Sequence, residues 1–150
     1  MQTFIPFPTF EESLKVLDNK RLGKQRVECL QILNVLTESR DGWRKHPATI
    51  MWRGAIPALI EYTLTCCDLW VARGFKDSIA NKIYDKFSTY LLDSTIIIPK
   101  WCSDARVNDS HKAMLFHKDP QFYKQFADFQ HIKDYYWHDS ITEAALRFKE

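Results

Sequence analysis

Apolar residues recur at helical spacing along most of the chain, and no stretch reads as one of a pair of strands. Over residues 20–36 the positions are Leu22, Val27, Leu30, Leu33 and Leu36; over residues 56–73 they are Leu59, Ile60, Leu64, Cys67, Trp70 and Val71. Side chains three or four apart share a helix face, so each segment can bury one stripe and leave the other side accessible. The one strand-like run, "TIIIPKW" at residues 95–101, is cut by Pro99 after three isoleucines and finds no partner. It is read as an extended connector. The pattern predicts an all-α, compact single-domain helical fold with short connections.

Local signals place the remaining elements. Thr9 followed by Glu12 has the form of a capping box and predicts a short helix over residues 11–17. Gly74 should end the 56–73 helix, and Asp77 or Ser78 should start another that runs through Ile79, Ile83, Phe87 and Leu91. Residues 103–117 read as a further helix, after which Asp119 caps a short one with Pro120 in its first turn. The stretch "RDGWRKHPATIMWRG", residues 40–54, opens on an Asp-Gly turn signal and is a loop or short helix. The tail from His131, with Tyr135, Tyr136 and Trp137, carries no clear pattern. Gly23 weakens its helix by about 1 kcal/mol relative to alanine, which a close approach by another backbone or a ligand would explain.

A chain of 150 residues, 45% of them hydrophobic, can bury one sizeable core without staples. Four glycines, six prolines and no Gly/Ser linker mark no boundary, so residues 1–150 are read as a single domain. Cys29, Cys66, Cys67 and Cys102 form no CxxC pair and are expected to be reduced, Cys66 and Cys67 as small buried hydrophobes; no metal and no cofactor is expected. The first residues, "MQTFIPFPTF", have neither a basic start nor a continuous apolar run, and no later segment approaches the roughly 18 apolar residues of a membrane span. The expectation is a soluble intracellular monomer, cytoplasmic, with no membrane partner.

Net charge is only +2, but its distribution is uneven. Between residues 20 and 53 eight cations, Lys20, Arg21, Lys24, Arg26, Arg40, Arg44, Lys45 and Arg53, stand against Glu28, Glu38 and Asp41. Such an excess fits an anion-binding surface or, more blandly, a solvated charged face. In "DNKRLGKQRVECLQIL" helical spacing puts Arg21, Lys24 or Gln25, and Glu28 along one side. Glu28 there is either a salt-bridge partner or a proton-transfer group whose neighbouring cations hold phosphates. His46, Trp52 and Arg53 combine a titratable ring, a stacking surface and a guanidinium, which suits a nucleic-acid groove; equally, Trp52 can pack in a core and His46 can cap a turn. Tyr135, Tyr136 and Trp137 are open to the same two readings. Ser110-His111 and His117-Lys118 are not a nucleophile and its base, because adjacent helical residues point apart. No GxSxG elbow, Walker loop or HExxH is present.

Four blocks, "LDNKRLGKQRVECLQIL", "GWRKHPATIMWRG", "WVARGF" and "SHKAMLFHKDPQFY", occur in an order that resembles the small all-α pyrimidine-dimer DNA glycosylases of phage endonuclease V type and their bacterial and viral relatives. The likeness is closest to relatives carrying "RRLGKQRVE" and "HPAxxMWRG". It implies a DNA repair glycosylase with abasic-site lyase activity on damaged or modified pyrimidines in double-stranded DNA. In the phage enzymes an N-terminal α-amine attacks deoxyribose C1′ and forms an imine, and a helical glutamate seven positions after a basic residue is the acid/base. That spacing runs here from Arg21 to Glu28. The resemblance thus implies Met1 as nucleophile and Glu28 as proton-transfer group, with Arg21 and Lys24 beside them. DNA contacts are implied for Gln25, Arg26, Arg44 and Lys45, for His46, Trp52 and Arg53, and for His111 and Lys118. Trp52 or the residue 135–137 cluster could fill the gap left by an extruded nucleotide. The sequence departs from the phage pattern at Gln2, where a threonine stands, and at Gln31, where an arginine stands. Its rivals are a non-catalytic DNA-binding module of the same fold and a nuclease or lyase using Lys24.

Overall fold

A computed structural model of the chain describes residues 1–38, 42–92 and 96–138. Its elements are α1 (Phe10–Lys15), α2 (Asn19–Glu38), α3 (Pro47–Ile50), α4 (Ile56–Ala72), α5 (Ile79–Leu91) and α6 (Ala105–Lys118), with 3-10 turns at Lys100–Ser103 and Lys124–Phe129. No strand occurs among the described residues; of the expected connector, Ile96 to Pro99 are irregular, Lys100 and Trp101 enter a 3-10 turn, and Thr95 lies outside the described residues.

The first helix starts where its capping box places it. Thr9 Oγ1 accepts from Glu12 N at 3.3 Å and donates to the Glu12 carboxylate at 3.0 Å. Helices α2 and α4 form the main packing pair, with α1 and α5 laid against α4. The close approach at Gly23 is made by a side chain: a Cβ there would stand 2.8 Å from the Trp70 ring of α4. That ring has little freedom to yield. Its Nε1 donates to Lys76 O at 3.0 Å, Phe75 stacks on it at 4.1 Å, and the Arg26 guanidinium lies 4.6 Å from its centre.

Gly74, at φ +94°, ends α4 in a Schellman arrangement. Gly74 N donates to Val71 O at 2.9 Å and Phe75 N to Trp70 O at 3.4 Å, and the Trp70–Phe75 stack supplies the accompanying apolar contact. Asp77 then caps α5 by accepting from Ile79 N at 3.2 Å and Ala80 N at 2.9 Å. Burial alone would raise the Asp77 carboxyl; hydrogen bonds from Ala80, Arg26 and Ile79 outweigh it and hold the group below the ordinary carboxylate range.

Near the C-terminal side the expectation of a helix beginning at Pro120 is corrected. The Asp119 side chain takes the Phe122 N–H at 3.1 Å and its carbonyl the Tyr123 N–H at 3.0 Å, closing a turn, and regular geometry appears only as the 3-10 stretch Lys124–Phe129. A segment this short gains little from helix propagation, so the burial of Tyr123 and Phe126 decides its shape. Described residues 131–138 have no regular structure. All four cysteines are free and buried, and burial pushes the Cys66 and Cys102 thiols up to about 12.

Candidate functional site

Residues 2–6 are buried without belonging to a helix, so their backbone groups need partners from elsewhere. Side chains supply them. Gln25 Nε2 donates to Gln2 O at 2.7 Å and Gln25 Oε1 accepts from Phe4 N at 3.0 Å. His111 Nδ1 accepts from Ile5 N at 2.8 Å, and Asn108 Nδ2 donates to Ile5 O at 2.8 Å. Tyr62 Oη stands 2.8 Å from Phe4 O, and Trp52 Nε1 donates to Thr3 Oγ1 at 3.0 Å. Helices α2, α4 and α6 thereby thread the first residues through the core.

The thread emerges at a cavity of about 320 Å³ lined by Met1, Gln2, Phe4, Lys20, Arg21, Lys24, Gln25, Glu28, Lys118 and Tyr135. Glu28, with its side chain 14% exposed, sits between two donors: Gln2 N at 3.4 Å from Oε2 and Lys24 Nζ at 3.5 Å from Oε1. One carboxylate therefore faces four cationic side chains and the N-terminal residue across a single hollow, an arrangement suited to an anionic ligand that needs one proton-transfer group. Tyr135 closes part of the wall, and burial pushes its phenol up to about 12, so the hydroxyl stays protonated at neutral pH.

Arg21 reaches the cavity from a braced position. Its Nη1 donates to Asp18 Oδ1 at 3.1 Å, the Tyr123 hydroxyl donates to the same carboxylate, and Asp18 N returns a bond to Tyr123 Oη at 2.9 Å. Burial raises the Asp18 carboxyl, but the hydrogen bonds from Tyr123 and Arg21 prevail and leave it below its usual value. Asp18 and Tyr123, like Gln2 in the cavity wall, were not among the sequence-derived candidates, and Lys20 entered only as one of the eight cations. The Asp18 to Arg21 spacing is readable as a helical i,i+3 pair, whereas Tyr123 lies 105 residues from Asp18.

Of the residues singled out from sequence, Met1, Arg21, Lys24, Gln25, Glu28 and Lys118 meet at this cavity. Arg44 and Arg53 line a second hollow of about 340 Å³ with Val35, Leu36, Gly54 and Ile56. Lys45 is exposed. His46 caps α3, accepting from Ala48 N at 3.0 Å, and its pKa is lowered first by burial and then by the positive charge of the N-terminus. Three candidates are corrected by burial. Trp52, at 0% exposure, packs against Phe10, Tyr62 and Trp101 and offers no face to a base. His111 is also at 0%, and Gln25, at 1%, is engaged by the thread. Arg26 turns away from the cavity, pairing with Asp77 over the Trp70 ring. Tyr135, Tyr136 and Trp137 are half-buried against the core, and only Tyr135 among them borders the cavity.

The role of His111 has a pH signature. Burial pushes its imidazole down to about 3, against about 6.5 for an exposed histidine. Between those values the unfolded chain binds a proton that the folded chain refuses, so stability falls as pH drops from about 6.5 toward 3. His111→Leu leaves Ile5 N unpaired and is expected to cost about 1–3 kcal/mol at neutral pH. Its stability should then decline less than wild type on acidification, as read by urea unfolding at matched pH values; parallel curves would contradict the assignment.

The family model described as pyrimidine dimer DNA glycosylase matches residues 1–82, more than half of the chain. No curated protein and no solved structure matches. The matched part holds the thread, α2 with Arg21, Lys24, Gln25 and Glu28, and α3 and α4. Lys118 and Tyr135 come from outside it.

Proposed function

This chain belongs to the pyrimidine dimer DNA glycosylase family, and on that premise we propose that it excises damaged or modified pyrimidines from double-stranded DNA and then cleaves the abasic strand through an imine on Met1. The observation that carries the proposal is the meeting of the N-terminal residue and Glu28 in one cation-lined cavity.

A base inside a duplex is out of reach, so the damaged nucleotide or its partner has to leave the stack. The Met1 nitrogen donates its lone pair to C1′ while the glycosidic bond breaks, and that bond pair leaves with the base, which takes up a proton. Opening of the sugar ring sends the C1′–O4′ pair to O4′, which is protonated, and leaves a C1′=N imine. Removal of a C2′ proton then expels the 3′ phosphate by β-elimination, and water releases the amine. On this reading Glu28 accepts and returns protons at the amine and at C2′. Lys20, Arg21, Lys24 and Lys118 offset the flanking phosphates. Lys24 supports a second reading, because its amine lies 3.5 Å from Glu28 and borders the same cavity.

Duplex binding is expected to weaken steeply with salt. Arg53→Ala, at the second hollow, should lower the magnitude of the log–log salt slope by roughly 0.9 if Arg53 neutralises one phosphate. A fluorescence-anisotropy titration against salt measures both; affinities that are equal and insensitive to salt would remove DNA as the substrate. No helix among the described residues is long and apolar enough to cross a membrane.

A further inference from the structure

We infer that Gln25 is the positioning residue of this site, fixing where the Met1 α-amine stands relative to Glu28. The inference rests on the imine reading and adds to it a residue that is 1% exposed and engaged by the backbone of residues 2–4.

Three bonds carry it. Gln25 donates through Nε2 to Gln2 O at 2.7 Å and accepts through Oε1 from Phe4 N at 3.0 Å. Its amide orientation is therefore determined, since a flip would place carbonyl against carbonyl and N–H against N–H. Tyr62 Oη, 2.8 Å from Phe4 O and 3.1 Å from Gln25 Oε1, shares its one proton between them and holds the amide oxygen in place. One turn along the same helix, Glu28 accepts from Gln2 N at 3.4 Å. A single face of α2 thus takes both backbone groups of residue 2 and also carries the acid/base.

The consequence for the amine is geometric. Gln2 O lies in the Gln2–Thr3 peptide plane, so Gln25, by holding Gln2 O and Phe4 N, fixes that plane and with it the Gln2 Cα, because a peptide is planar, while Gln2 N, in the preceding plane, is held by Glu28. The α-nitrogen, three bonds before Gln2 N, then moves by rotation about the Gln2 N–Cα and Met1 Cα–C bonds, from an anchor that Gln25 holds in place. Without Gln25 that anchor loses its side-chain bonds at Gln2 O and Phe4 N, and the Met1–Gln2 peptide is left with the long bond to Glu28. Losing the grip should leave the amine present but misplaced, and displacements of about 1 Å can lower rates roughly 100-fold.

The test is borohydride trapping on an abasic duplex under single-turnover conditions, with the adduct located by peptide mass spectrometry and the DNA Kd measured separately. Gln25→Leu and Gln25→Glu, each checked for folding by circular dichroism, both remove the donor to Gln2 O. In a folded variant trapping should slow roughly 100-fold with Kd changed by less than about threefold and the adduct still on Met1, a loss confined to the chemical step. Trapping at the wild-type rate, or a slowing matched by an equal loss of DNA affinity, would overturn the positioning role while leaving the imine reading intact. A wild-type adduct on Lys24, or none, would overturn both. Hydrogen exchange of wild type gives a check that needs no variant: Gln2 and Phe4 amides should be protected, and exchange at the rate of a frayed terminus would also overturn the inference.

Discussion

Glu28→Gln is expected to fold, to bind duplex DNA and to cleave abasic or dimer-containing DNA about 10²–10⁴-fold more slowly than wild type, the range lost when a positioned acid/base is removed. The substitution keeps the side chain's shape and an oxygen that can still accept from Gln2 N, so the thread of residues 2–5 should hold. It loses the carboxylate that faces Lys24 at 3.5 Å. That ion pair is not expected to weigh much on stability, because the lysine side chain is 71% exposed and solvent screens it. The measurement is a single-turnover cleavage assay beside a binding isotherm. Full activity in the variant would make Glu28 a salt-bridge residue and nothing more.

Blocking the N-terminus should have a larger effect still. An uncleaved N-terminal tag removes or displaces the amine and is expected to abolish the borohydride-trapped adduct, whereas a C-terminal tag should leave it. On the proposed route the amine is the nucleophile, and no general-base or electrostatic contribution substitutes for a missing lone pair. Gln2 and Thr3 are buried, so an added segment would have to leave through the cavity in which the proposed chemistry takes place. Lys24→Ala separates the rival amine. Trapping that survives an N-terminal block and is lost in Lys24→Ala would assign the chemistry to Lys24. Binding without trapping in any form would make the chain a non-catalytic DNA-binding module.

The helices were readable because their determinants are local. The capping box at Thr9, the αL glycine after α4 and the apolar stripes of α2 and α4 each lie within a turn or two of what they control. The shared face of Arg21, Lys24 and Glu28 was readable for the same reason, being set by 3.6 residues per turn along one helix. Charge and aromaticity were poorer guides. Trp52 and His111 carry the side chains of a nucleic-acid groove and lie in the core, because an indole and a neutral imidazole can be buried once each has a backbone or hydroxyl partner, here Ile5 N and Thr3 Oγ1. Residues 139–150 lie outside the described structure, as do Arg40 and Asp41, whose charges entered the sequence reading.

By itself, then, the sequence determined an all-helical chain with a basic N-terminal third and one carboxylate in its cationic stripe, since periodicity, caps and charge spacing act within a single element. The tertiary structure decided which of those cations meet that carboxylate. Arg26, two residues before Glu28, is drawn off to Asp77, 51 residues away, while Lys118 arrives from α6. It also decided where residue 1 stands, because a non-helical segment is fixed only by the partners its backbone finds, and those of residues 2–5 are spread over α2, α4 and α6. Contacts between residues 21 to 106 positions apart leave no periodic trace along a chain; they exist only once the helices have packed.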